Sequence, residues 1–152
     1  MTITWAQWLA EITATGIPAW AIDEPADVVF MPMESRWLLE DFHRWYFRSL
    51  DALEIRSFDP ERGDCDDFSG LFCVFARILH RRSAEGKGYA SPVAWLNLSL
   101  RPELSGQDTQ RHRCVCARTR DRGLLFIEPQ VLGKVYQFTV PQLSSCTKFS
   151  PG

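Results

Sequence analysis

No run in the 152 residues approaches the length of a membrane span. The N-terminus, Met1-Thr2-Ile3-Thr4-Trp5, lacks a basic region and meets Glu11 before any long apolar stretch, so no signal peptide is expected. Repeats, low-complexity segments and long linkers are absent too, and residues 1–152 read as a single domain. The net charge is only -2, which supplies no global field toward a membrane or nucleic acid. Histidine is scarce, with three in the chain. The five cysteines are odd in number and lack small-scaffold spacing, which implies free thiols in a reducing compartment, by default the cytoplasm. What is present is a 45% hydrophobic content, enough for a substantial core.

Gly63-Asp64-Cys65-Asp66-Asp67-Phe68 is the most informative segment. Asp64 reads as an N-cap, with Asp67 completing a box-like helix start. From Phe68 the apolar residues recur at Leu71, Phe72, Phe75, Ile78 and Leu79, which predicts a helix running to Arg82 and stopped by Gly86. Cys65 then sits on the first turn, where the helix dipole favours a thiolate. The plainer alternative is that Cys65, like Cys73, is a small core residue.

Elsewhere Thr4 caps a short helix bearing Trp5, Trp8, Leu9 and Ile12, and Glu34 to Leu53 reads as a second helix. Ser57 to Gly63 is a turn-rich approach to the Cys65 helix. Val93 to Leu100 reads as a strand, His112 to Thr119 and Leu124 to Glu128 as a hairpin, and Lys134 to Val140 as a last strand. Helices first and strands after predict an α+β domain.

A nucleophilic Cys65 needs a base. His80 lies too far along the same helix, and His43 falls on the less apolar side of its helix, toward solvent. His112 begins a strand, and a hairpin loop at Thr119 to Asp121 places it opposite Glu128, which could orient its ring. A one-residue slip would turn Glu128 to the other face, and Gly123 could host such a bulge. Either residue could equally be an ordinary solvated one at a strand end.

The order Cys, His, Glu, with "GDCDDFSGLF" opening a helix and "HRCVCARTRDRGLLFIEPQ" forming a hairpin, resembles a papain-like cysteine protease. It is similar to the calcium-dependent protease domain of fairy-ring-mushroom-type agglutinins and, more distantly, to bacterial transglutaminase-like cysteine proteases. The resemblance covers about Asp64 to Gln130. It implies a papain-like or transglutaminase-like fold, a central Cys-bearing helix on an antiparallel sheet, and hydrolysis of amide bonds in a protein or peptide substrate. Cys65 would be nucleophile, His112 general base and Glu128 the orienting acid. The chain departs from the pattern in having no glutamine between Met31 and Asp64 to help form an oxyanion hole.

Asp64, Asp66 and Asp67 also crowd the thiol with negative charge that something must offset. Calcium at Asp66 and Asp67 would do so, in keeping with the resemblance; the alternative is that these acids only cap the helix. Zinc at His112, Cys114 and Cys116 fits no structural zinc spacing. The arginines from Arg111 to Arg122 read as hairpin decoration and the tryptophans as core. The rival to an enzyme is a non-catalytic binding or inhibitor protein, such as a small phage-type accessory protein, that keeps this scaffold.

Overall fold

The computed structural model describes residues 1–55, 65–104 and 111–151. The expected Asp64 cap and the turn from Ser57 to Gly63 lie outside these. β1 (Ile3–Thr4) leads into α1 (Trp5–Ala14), and β2 (Val29–Phe30) pairs antiparallel with β1. A helix then begins with a π-helical segment, Trp37–Phe42, and continues as α2 (His43–Ala52). α3 (Cys65–Arg82) is followed by β3 (Val93–Ser99), β4 (Arg111–Thr119), β5 (Gly123–Ile127), β6 (Val135–Tyr136), α4 (Val140–Ser144) and β7 (Lys148–Ser150). The main sheet is antiparallel in the order β6-β5-β4-β3-β7.

The expectation of helices first, in a papain-like or transglutaminase-like arrangement, is corrected by this order. A strand opens the chain, and seven strands run through the described residues. Strands of two or three residues, such as β1, β2 and β7, are too short to show the alternation by which a strand is read from sequence. The last predicted strand also shrinks to Val135–Tyr136. Thr139 instead caps α4 in a box with Gln142, a Thr-x-x-Gln signal that was there to be read.

Both faces of the sheet are covered. Cys114 and Cys116 of β4 join Leu96, Leu98 and Phe149 against Trp8 and Ile12 of α1. Val115 and Ala117 turn the other way, onto Phe72, Cys73 and Ala76 of α3, with Leu38, Phe42 and Tyr46 behind them. That period-two alternation in a strand buried on both sides makes β4 the middle of the molecule.

α3 has the residues its ends require. Asp66 and Asp67 occupy the first turn; His80, Arg81 and Arg82 occupy the last. Gly86 permits the chain to fold back, since a Cβ there would lie 1.8 Å from the His80 carbonyl oxygen. The buried face differs from the apolar stripe read in sequence. Small residues Ser69, Cys73 and Ala76 meet the sheet, whereas Ile78 is 48% exposed. No helix among the described residues is long and apolar enough to cross a membrane.

Candidate functional site

Two hydrogen bonds place the first turn of α3. The Tyr46 hydroxyl donates to the Phe68 carbonyl at 2.8 Å, tying that turn to α2. Ser69 Oγ donates to the Arg113 carbonyl at 3.2 Å, tying it to β4 one residue past His112. Cys65 is thereby half-buried near the start of β4, where it lines one cleft with His112 and helps to raise the pKa of that ring.

The three residues singled out in the sequence meet here. His112 Nε2 lies 3.0 Å from Glu128 Oε2, with both side chains largely buried. That leaves Nδ1 as the ring nitrogen for the thiol. The hairpin register differs from the expected one: Val115 pairs with Ile127, so Glu128 stands opposite Cys114 rather than His112. The shift is two residues, an even number, so the carboxylate stays on the histidine's face and reaches it diagonally.

Glu128 is 4% exposed and is held by more than histidine. Its Oε2 accepts from the Tyr136 hydroxyl at 2.5 Å, and its Oε1 accepts from the Gln130 backbone N–H at 3.1 Å. Burial opposes its charge, but the bonds from His112, Tyr136 and Gln130 prevail and lower its pKa. Burial likewise opposes charge on His112, yet hydrogen bonds to Cys65 and Glu128 and their negative charge raise its pKa to about 9. Tyr136 Oη is also 3.1 Å from His112 Nε2, so the tyrosine closes a small ring of contacts. Tyr136 was missed in the sequence because only the pairing of β6 with β5 brings it to the Glu128 carboxylate.

His43 is not in solvent, as its flanking residues implied, but fully buried. The π-helical segment ending at Phe42 adds a residue to the turn and rotates His43 inward. Its Nδ1 accepts from the Gly133 N–H at 3.2 Å, and Nε2 faces the Pro129 carbonyl at 3.2 Å. A neutral ring protonated at Nε2 satisfies both contacts and secures the turn that follows Glu128. On that turn, the Gln130 side-chain nitrogen is buried with no hydrogen-bond partner among the described residues.

The crowding of Cys65 by acids has an answer in Arg113. Its Nε lies 3.0 Å from Asp66 Oδ1 and donates to Asn97 Oδ1 at 2.7 Å, and its guanidinium lies 4.2 Å over the Trp95 ring. Asp66 Oδ1 is in turn 3.8 Å from Cys65 Sγ. Calcium takes about six to eight oxygens. Among the described residues no group of three or more metal-binding side chains forms, and Asp66 already holds a cation. Melting curves with calcium and with chelator test the expectation of calcium at Asp66 and Asp67: stabilisation by about 2.7 kcal/mol at a hundred times the dissociation constant would support it, and coincident curves would remove it.

No family model matches the chain, and no curated protein matches it. Solved structures do. One, described as the PSL1a–E64 complex, superposes with a TM-score of 0.69 at 14% identity, covering 98% of this chain and 51% of that one. Another is a Polyporus squamosus lectin bound to the human-type influenza-binding epitope Neu5Aca2-6Galb1-4GlcNAc, with a TM-score of 0.64 at 15% identity, covering 98% and 49%. The chain thus spans about half the length of the structures it matches.

These neighbours correct the family read from the sequence. Of the structures sharing this fold, one is described as a lectin, and neither is described as a papain-like or transglutaminase-like cysteine protease. The expected thiol-dependent hydrolysis of amide bonds, with its protein or peptide substrate, is set aside with that family. At this level of identity the likeness shows the fold alone, one shared with both structures, the Polyporus squamosus lectin among them.

Proposed function

We propose that this chain is a ligand-binding domain centred on a reactive thiol. The observation that supports this is the placement of Cys65 and His112 in one cleft, with Glu128 3.0 Å from the histidine ring. In this reading Cys65 Sγ is the nucleophile, His112 holds its proton, and Glu128 orients the ring and offsets the imidazolium charge. A ligand with an electrophilic double bond would be captured by addition: the sulfur bonds to one carbon, the π bond breaks, and the proton held by His112 goes to the other end.

Iodoacetamide tests the proposal, because the other four cysteines are buried. Burial pushes Cys73 up to about 12 and Cys146 to about 11, so neither competes near neutral pH. Cys65 should be labelled selectively, and faster than N-acetylcysteine under the same conditions. A labelling profile that follows an ordinary free thiol would sink the proposal.

A glycan is the ligand class suggested by the lectin described with a sialylated epitope. Immobilised Neu5Aca2-6Galb1-4GlcNAc should retain this chain if glycan recognition resides in the half it matches. Passage without retardation would remove that epitope as its ligand.

A further inference from the structure

A second cleft lies beside the C-terminal half of α3 and shares no lining residue with the one at Cys65. At the usual rise per residue, Arg77, where it meets the helix, stands about 18 Å along the axis from Cys65. The cleft holds about 460 Å³ of empty space. Phe30, Ile78, Ala90 and Pro151 give it apolar walls, and Asp27, Arg77 and Arg81 are its charged residues.

Those charges are not spent on one another. Arg77 donates from Nε to the Val93 carbonyl at 3.0 Å and from Nη2 to the Val93 and Pro151 carbonyls. The bonds fix its guanidinium where α3 meets β3 and the end of β7, but a carbonyl carries no net charge to offset it. No carboxylate among the described residues pairs with Arg77, and its Nη1 is not engaged there. Arg81, one turn on, is exposed, and so is Asp27 just before β2. Neither side chain has a partner among the described residues. An acid and an arginine that border one cleft without forming an ion pair leave a gap that a third molecule can bridge.

We infer that this cleft binds a zwitterionic amino acid with an apolar side chain. The carboxylate meets Arg81 and the fixed guanidinium of Arg77, which offers it planar N–H donors. The ammonium meets Asp27, and the side chain lies against the apolar walls. Charge decides among the ligand classes. A simple anion leaves Asp27 opposed, and a simple cation faces two arginines. A neutral apolar molecule dehydrates charged groups and returns no bond to them. A zwitterion satisfies both signs and needs nothing from Cys65.

Phenylalanine, N-acetylphenylalanine and phenylalaninamide test this, because the second lacks the ammonium and the third the carboxylate. At about pH 6.5, where an α-amino group is still charged, amide chemical shifts in NMR titrations report both place and affinity. Phenylalanine should saturably shift Ile78, Arg81, Ala90 and Ser91, and each analogue should bind about tenfold more weakly. Asp27→Asn should weaken phenylalanine and spare N-acetylphenylalanine. Arg81→Gln should weaken phenylalanine and N-acetylphenylalanine and spare phenylalaninamide. Both side chains are exposed and unpartnered among the described residues, so neither substitution threatens the fold. Equal affinity for the three ligands overturns recognition of the zwitterion, as does binding that survives both substitutions undiminished. The absence of saturable shifts at these four amides overturns the site itself.

Discussion

Glu128→Gln should slow iodoacetamide labelling of Cys65 markedly while the protein remains folded. Glutamine preserves the shape of the side chain but removes the charge that, together with Cys65, keeps His112 protonated up to about 9. Without that charge the imidazolium loses its partner at Nε2, and the thiolate loses its partner in turn. The same substitution should alter the alkaline side of the stability curve. His112 has a folded pKa above its ordinary value of about 6.5, so its contribution is complete below that value and is lost as pH rises through about 9. That contribution is on the order of 3 kcal/mol in the native protein and should be much smaller in Glu128→Gln. Urea denaturation between about pH 6.5 and 9 measures it. Unchanged labelling and an unchanged alkaline slope would mean that Glu128 neither orients nor charges the histidine.

Acid should destabilise the protein through a different histidine. His80 is fully buried on α3, with Nδ1 2.8 Å from Ser91 Oγ and Nε2 without a partner among the described residues. Burial, with a smaller push from the Arg120 charge, lowers its pKa to about 4. The unfolded chain therefore binds a proton that the native protein refuses between about 6.5 and 4. The stability that depends on a neutral His80 is complete above about 6.5 and declines as pH falls through about 4, by on the order of 3 kcal/mol. Burial lowers His43 as well, which adds to the loss with the same sign. His80→Gln should flatten the acid limb, whatever it costs at neutral pH. Parallel acid limbs in the two proteins would show that His80 is not the group being titrated.

The sequence carried the long periods well and the short ones poorly. The Cys65 helix and the strands from Val93, Arg111 and Gly123 are long enough to show a period, and each was placed to within about a residue. Cys65, His112 and Glu128 were each named, because a helix start and a hairpin are local features. Tyr136 and Arg113 gained their places through pairings between distant segments, which no local pattern contains. The exposed histidine became a buried one because a 3.6-residue period was applied through a segment that does not follow it. The family assignment went wrong for a different reason. Three polar residues in order describe a site, and similar sites can stand on more than one scaffold.

The π-helical turn from Trp37 to Phe42 also bears on how this chain is to be aligned with others. Such a turn is geometrically a single inserted residue. A relative with an unbroken α-helix there would match this chain only with a one-position gap among these six residues. An ungapped alignment would set His43, Tyr46 and Leu50, all inward here, against outward positions of the relative. Deleting exposed Glu40 or Asp41 supplies that gap experimentally: the helix could regain regular winding without giving up a buried side chain.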